Sequence, residues 1–491
     1  MEEGLLRPQG NIVTLLDLSP RDAQDGELFP LAAEETWWVP DSDRRIRPFS
    51  LTVQQFPFRG PTAFGQRFTF DIGSVHCGDL LFSTMLQIDL GHWMDDATLL
   101  RFQAQTCDYE KIDGTYLEDP WFYANSLGTV LLEKAEFEIN DQTIETVDGD
   151  FLNTVSLLFQ DLNNQYGLSV DGLGRRPNAS LLSTPVSLPY PTQNGTLYIP
   201  LPFFFQRVRL QEAFPLLAVR EGNVRIHVKL RPFEECVRRL KGRRSSPCEI
   251  PLNQEVPVFD TTSGVQIRRI VKTSIAEPTF KNIQLVTYGA QTDGKIRTKL
   301  LRSPFEILVR CCNTFFFEEP LKYAVTKTSD SIQVQLPLEV NHPMEEILWF
   351  IRRKATHNNN EWTNYSAVMS AEHDETYNPY RPLLQSATIQ LNGTELIQAE
   401  EQWFRQHIAS VHKGGIAAYK AFVYGYSFAR RPGEHQPSGT ANASRLQSVR
   451  LTLTVLPPGG SLEQEWEVKV FVTHLEWIRF QDGIANRMFQ S

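Results

Sequence analysis

Lys134-Ala135-Glu136-Phe137-Glu138-Ile139-Asn140-Asp141-Gln142-Thr143-Ile144 and Ser386-Ala387-Thr388-Ile389-Gln390-Leu391-Asn392-Gly393-Thr394-Glu395-Leu396 carry one pattern twice. Each alternates apolar and polar residues, reaches a turn pair led by Asn, and then reads as the start of an amphipathic helix. A second pair follows in the same order, Asn223-Val224-Arg225-Ile226-His227-Val228 and Ser448-Val449-Arg450-Leu451-Thr452-Leu453. Asn392 stands 252 residues after Asn140, and Val449 stands 225 after Val224. A longer loop after Phe159 in the first half would absorb the difference of 27. The repeated order implies two copies of one β-sandwich.

The residues around these segments agree. Arg67–Ile72, Val224–Leu230, Ile332–Leu336, Val449–Val455 and Trp466–Val472 have the period-two hydrophobicity of half-buried antiparallel strands. Helical pattern is confined to Phe151–Phe159, which follows the capping sequence Asp148-Gly149-Asp150, and to Glu400–His412. The fold class is therefore all-β, with a few short helices. Long polar or Pro/Gly-rich stretches, Gly91–Pro120, Asp161–Asn194 and His357–Pro382, have the length of functional loops. The segment Leu240–Pro257 breaks the pattern and reads as the inter-domain link.

Composition narrows the functions available. The 491 residues are 41% apolar and 11% aromatic, enough to bury a core, and carry 48 basic against 58 acidic side chains, a net charge of −10. That balance excludes a globally basic nucleic-acid coat. Met1-Glu2-Glu3-Gly4 is acidic where a secretory signal would be basic, and no apolar run approaches the ~18 residues that span a bilayer, so a soluble protein is expected. The six cysteines have no Cys-x-x-Cys spacing and read as reduced and buried; Cys311 and Cys312, as strand neighbours, face opposite ways. Five Asn-x-Ser/Thr sequons, beginning at Asn178, Asn194, Asn364, Asn392 and Asn442, read as turns and Asn-rich loops rather than glycan sites.

No nucleophile elbow, P-loop, dinucleotide fingerprint or His-Glu-x-x-His motif occurs, and no catalytic residue, metal or cofactor is expected. Asp148 and Asp150, like Asp95 and Asp96, could pair for glycoside chemistry or Ca²⁺, but capping and solvated loops account for them. His373-Asp374 lies in a polar loop. The run Arg238-Arg239-Leu240-Lys241-Gly242-Arg243-Arg244 has two readings, a solvated linker or an electrostatic contact to an acidic partner or anionic lipid. The rival to a structural role is a carbohydrate-binding or carbohydrate-active β-sandwich, with Trp37-Trp38 or Trp121 beside Asp119 as its sugar platform.

Particular words then point to a family. Tyr424–Arg445, with its core His435-Gln436-Pro437-Ser438-Gly439-Thr440-Ala441-Asn442-Ala443-Ser444, resembles a signature loop of the major capsid proteins of nucleocytoplasmic large DNA viruses (iridoviruses, phycodnaviruses, marseilleviruses and relatives). Four further segments fit the same family in order: Gly78–Phe82, Trp121–Asp150, Tyr198–Phe205 and Asn341–Trp349. The resemblance implies a double jelly roll, two tandem eight-stranded sandwiches, divided as an arm over 1–45, a first jelly roll over 46–240, a linker over 241–257 and a second jelly roll over 258–491. It further implies a homotrimeric, pseudo-hexagonal capsomer in an icosahedral virion shell, assembled in a cytoplasmic virus factory. Neighbouring capsomers, minor capsid and penton proteins are the implied partners, with an inner membrane nearby and no direct nucleic-acid binding; a minor shell protein of the same fold is the second reading. His435, Gln436, Pro437, Ser438, Gly439, Thr440, Asn442 and Ser444 are then either a rigid turn or an interface element.

Overall fold

Alternation of buried and exposed residues builds the strands. In Arg67–Ile72 every second side chain is buried, and Val224–Leu230 keeps the same period. The computed structural model describes residues 49–91, 121–158, 195–205, 213–241, 244–246, 254–259, 266–271, 280–318, 323–324, 331–358, 360–369, 376–412, 422–433, 436–456 and 463–488. The expected arm over 1–45 lies outside them, and so do His435, Arg243, His373-Asp374 and Trp37-Trp38.

The sandwich strands are numbered here along the chain. The first eight are β1 (Phe49–Pro57), β2 (Arg67–Ile72), β3 (Leu80–Leu90), β4 (Leu132–Ile139), β5 (Gln142–Val147), β6 (Thr196–Pro200), β7 (Val224–Leu230) and β8 (Phe280–Thr292). The next eight are β9 (Phe305–Glu318), β10 (Ile332–Leu338), β11 (Pro343–Arg353), β12 (Leu384–Leu391), β13 (Thr394–Glu400), β14 (Val423–Ser427), β15 (Val449–Val455) and β16 (Trp466–Gln481). The first set forms sheets ordered β1-β8-β3-β6 and β2-β7-β4-β5; the second forms β9-β16-β11-β14 and β10-β15-β12-β13. Adding eight to each strand of one sandwich yields the order of the other, so the chain is a double jelly roll with antiparallel pairing throughout these sheets.

The expected division is displaced by one strand. Phe280–Thr292, expected in the second sandwich, lies between β1 and β3, with Phe49 opposite Thr292 and Leu90 opposite Phe280. The expected linker over 241–257 is partly paired as well: Val237–Lys241 forms a hairpin with Arg244–Ser246 and pairs with Trp121–Tyr123, while Gln254–Phe259 pairs with Gln266–Val271. The connection between sandwiches is instead a helix, α2 (Gly294–Arg302), capped by Asp293, whose Oδ1 accepts the Ile296 amide at 2.9 Å.

The sequence echo is a pair of equivalent hairpins. Asn140 and Asp141 join β4 to β5 with φ of 52° and 61°; Asn392 and Gly393 join β12 to β13 with 54° and 78°. Positive φ at both turn residues matches the twist of a two-residue hairpin and favours Asn, Asp and Gly. The Asn140 amide donates to Asn223 O at 3.0 Å, and the Asn392 amide to Ser448 O at 2.9 Å, so the two echoing segments of each half meet in space. The residues after each turn are strands, not the expected helix starts; the helices α1 (Gly149–Leu158) and α3 (Glu401–His412) begin one strand later. Thirty-seven residues separate α1 from β6 and ten separate α3 from β14, which takes up the offset difference.

Helix α1 lies at the seam between sandwiches. Asp148 Oδ1 accepts the Phe151 amide at 2.7 Å, and a Cβ at Gly149 would meet Thr129 O at 1.9 Å, so only glycine lets the helix start this close to its neighbour. From its first turn Asp150 reaches Arg352 on β11, Nη1 to Oδ1 at 2.8 Å and Nη2 to Oδ2 at 3.2 Å, while Lys469 on β16 reaches Asp150 Oδ2 at 2.8 Å and Asp148 at 2.5 Å. The Arg352 Nε donates to Glu467 at 2.6 Å, its Nη1 also to Trp362 O at 2.8 Å, and His357 Nε2 lies 2.9 Å from the same Glu467 oxygen. Around this cluster Asn153 donates to Tyr365 Oη at 2.9 Å, Tyr365 stacks on Phe350 at 4.0 Å, and Phe151 packs on Phe471. At the other end of the seam Glu145 on β5 accepts the Cys312 amide from the edge strand β9 at 3.1 Å, and Phe214 packs on Phe480.

Burial alone would raise the Asp150 carboxyl, but the Arg352 and Lys469 charges hold it well below the carboxylate range. Glu467 is likewise lowered, against its burial, by hydrogen bonding to His357 and the Arg352 charge. A depressed folded-state pKa contributes stability above the unfolded value, about 3.9 for Asp, and loses it as the pH falls toward the folded value. Arg352→Ala, which leaves Asp150 with Lys469 alone and Glu467 with His357 alone, should cost about 3 kcal/mol in a denaturant titration at pH 7. Asp150→Asn should be destabilised at pH 7 yet approach the wild type as the pH falls below about 4. A stability gap that stays constant down to pH 3 would contradict this assignment.

Candidate functional site

Signature residues gather at the corners where strands enter and leave the two sheets. In the first sandwich Asp79, buried just before β3, accepts the Thr292 amide and hydroxyl, each at 2.8 Å, and Arg297 of α2 approaches its other oxygen at 3.2 Å. That carboxylate ties the start of β3, the end of β8 and the connecting helix together. The Tyr198–Phe205 word delivers Phe203, Phe204 and Phe205 into the core against Phe137 and Phe214, with ring centroids 5.2–6.4 Å apart.

In the second sandwich the signature loop joins β14 to β15 and folds back on the start of β11. Ala441 and Asn442 pair with Met344 and Pro343. Ser444 Oγ accepts the His342 amide at 2.9 Å, the Ala443 amide donates to His342 O at 3.0 Å, and Asn442 Oδ1 accepts the Ser444 amide at 3.1 Å. Ser438 Oγ accepts the Arg431 amide at 2.8 Å and donates to Arg431 O at 3.0 Å, closing the loop's base. Gly439 has φ 150°, and a Cβ there would meet Phe428 O at 2.6 Å. Pro437, Gly439 and Thr440 line an open cleft of about 430 Å³ with Leu308, His342, Pro343, Leu475 and Trp477. Gln436 is described beside them; His435 is not.

Buried charges lie beneath the exposed Arg430, Arg431 and Arg445 of the loop. Arg310 donates to Glu345 at 2.8 Å; burial pushes the Glu345 carboxyl up, opposed by Arg310 and by the Gly433 amide. His342, with φ 72°, stacks its ring on His474 at 5.2 Å, and burial with that second imidazole lowers its pKa. The structure brings Pro437, Gly439, Asn442 and Ser444 of the signature loop beside His342 of the Asn341–Trp349 segment, whereas sequence reasoning missed Arg310 and the seam arginine Arg352. Arg352 opens the basic triplet Arg352-Arg353-Lys354 directly after the apolar run Ile347–Ile351, where a buried arginine reads like a solvated one, so no local signal marks it. Of the basic run, Arg238, Arg239, Lys241 and Arg244 lie on the paired strands Val237–Lys241 and Arg244–Ser246.

Comparison with known proteins places this geometry. A family model described as large eukaryotic DNA virus major capsid protein matches residues 297–485, and one described as major capsid protein N-terminus matches residues 41–262. The major capsid protein of Phaeocystis pouchetii virus is 22% identical, over 97% of this chain and 99% of its own. That of Paramecium bursaria Chlorella virus 1 is 24% identical, over 66% of this chain and 67% of its own. Among solved structures, the quasi-atomic PBCV-1 virus capsid superposes with a TM-score of 0.62 at 20% identity, covering 91% of this chain and 98% of that one. The Faustovirus major capsid protein does so with 0.60 at 13% identity, covering 96% of each. At such identities the superpositions speak for the fold, and the two family models, which between them take in most of the sequence, speak for descent: the chain belongs to the major capsid proteins of the large eukaryotic DNA viruses.

Proposed function

We propose that three copies of the chain close around a three-fold axis into a capsomer of six-sided outline, and that such capsomers tile the icosahedral shell of a large double-stranded DNA virus. The observation that carries this reading is the strand order repeated at an offset of eight. Three copies of a two-sandwich body offer six similar lateral faces, so an object of three-fold symmetry fits a hexagonal lattice. The reading divides the chain into a first sandwich over 49–292 and a second over 305–487, and gives it a structural rather than catalytic task. The edge strand β1 supports burial on association, since Phe49, Leu51 and Val53 project from it 57%, 67% and 54% exposed. Minor capsid and penton proteins, an inner membrane beneath the shell and assembly in the host cytoplasm belong to the same proposal.

In this reading the signature loop is a folding element of the second sandwich. Its hydrogen bonds are satisfied within the chain, at His342 and at Arg431 of the loop itself, and Gly439 occupies a position that a branched side chain cannot fill. The run from Arg238 to Arg244 remains a proposed contact to an acidic or anionic partner.

Size-exclusion chromatography with light scattering should yield about 170 kDa, three times the 56.2 kDa of one chain; a stable monomer at micromolar concentration would overturn the trimer. A trimer would carry three times the chain's net charge of −10, so added salt should raise the scattering of purified trimers by screening their repulsion, and a fall would contradict it. Gly439→Val should accumulate as insoluble chain. Soluble, folded monomer would instead make the loop an interface element.

A further inference from the structure

We propose that Cys311, His474 and Glu476 form a binding site for a divalent transition-metal ion with the ligand preferences of zinc. Cys311 on β9 stands directly opposite His474 on β16, and Glu476, two residues further along β16, projects from the same face. The thiol sulfur, an imidazole nitrogen and a carboxylate oxygen all lie within 4.8 Å of one another, and the three residues are 1%, 2% and 2% exposed. Ligand atoms on a tetrahedral zinc stand about 3.3–3.6 Å apart, so a closure of about 1 Å would bring the set to bonding geometry.

The chemistry of the set favours this occupant over a hard cation. A thiolate and an imidazole select zinc and its neighbours, whereas calcium and magnesium take oxygen ligands alone. Two polar atoms of the cluster, His474 Nδ1 and Glu476 Oε1, are buried without a hydrogen-bond partner, a state that native interiors seldom leave unexplained. The other Glu476 oxygen, Oε2, lies 3.4 Å from Arg487 Nε and 3.9 Å from His474 Nε2. A thiolate and a carboxylate together cancel the charge of a dication, so the filled site would bury no net charge of its own. The parallel ring of His342 at 5.2 Å holds the His474 imidazole in orientation. Water would complete the coordination, as in three-ligand zinc sites. Arg487 also donates to Ile144 O on β5, so the ion would sit behind a contact that links the second sandwich to the first.

The test uses the full-length protein, stripped with a chelator and dialysed against micromolar zinc or cobalt(II). Zinc content by elemental mass spectrometry should approach one ion per chain, and the cobalt form should show a thiolate-to-cobalt charge-transfer band with tetrahedral ligand-field bands. Cys311→Ser should lose the charge-transfer band and bind zinc at least about 100-fold more weakly, since loss of a direct ligand exceeds the 10–100-fold cost of losing an outer partner. Cys312→Ser, altered on the opposite face of the strand, should keep both. If Cys311→Ser fails to fold, His474→Gln read by zinc affinity takes its place, with the same loss expected. Folded wild-type protein that retains no zinc, or a charge-transfer band that survives Cys311→Ser, would overturn the proposal.

Discussion

A guanidinium taken out of water needs anionic partners on all sides, and Arg352 finds them on two different sandwiches. Asp150 reaches it from α1, Glu467 from the adjacent strand of its own sheet, and the Trp362 carbonyl accepts a further hydrogen bond from it. Such a cluster is poor as a net source of stability, because desolvation consumes most of its Coulomb energy. Its value is directional. Two apolar sheet faces would slide past one another at little cost, whereas these charges are satisfied in one relative placement. The aromatic contacts, Phe151 on Phe471 and Phe214 on Phe480, supply burial to the joint that the charges orient.

The same logic explains the uninterrupted burial of β11. From Met344 to Arg352 every side chain is buried, because one face meets the second sandwich's core and the other meets the seam. Glu145 does comparable work at the edge strand β9, where its carboxylate accepts a backbone amide that would otherwise be open to an adventitious strand.

Local chemistry was legible in the sequence and long-range pairing was not. The Asn-led turns at 140–141 and 392–393 announced themselves because positive φ restricts the residue choice, and the strands flanking them alternate. Asp148 read correctly as a cap because its partner is three residues away. By contrast β8, Phe280–Thr292, has a long buried run in place of alternation, and its partners lie 190 to 243 residues upstream, so nothing local marks it as the last strand of the first sandwich. Asp150 was credited to capping although its partner, 202 residues on, is Arg352. Cys311 was weighed only against its neighbour Cys312; His474 and Glu476 are brought beside it by the β9–β16 ladder, which no spacing motif encodes. Asn364 shows the converse, a sequon whose amide is fully buried and bonded to Glu361 and Val368.

The two sandwiches share a strand order but not a length of chain, since 37 residues connect α1 to β6 where 10 connect α3 to β14. In the proposed trimer two sandwiches of unequal chain length alternate around the axis, so turning the body by one-sixth of a revolution does not superimpose it on itself. A sheet of such bodies then has a phase. Patches nucleated separately meet either in step or one-sixth turn out of step, and the out-of-step meeting is a seam defect, of the kind a crystal calls a twin boundary.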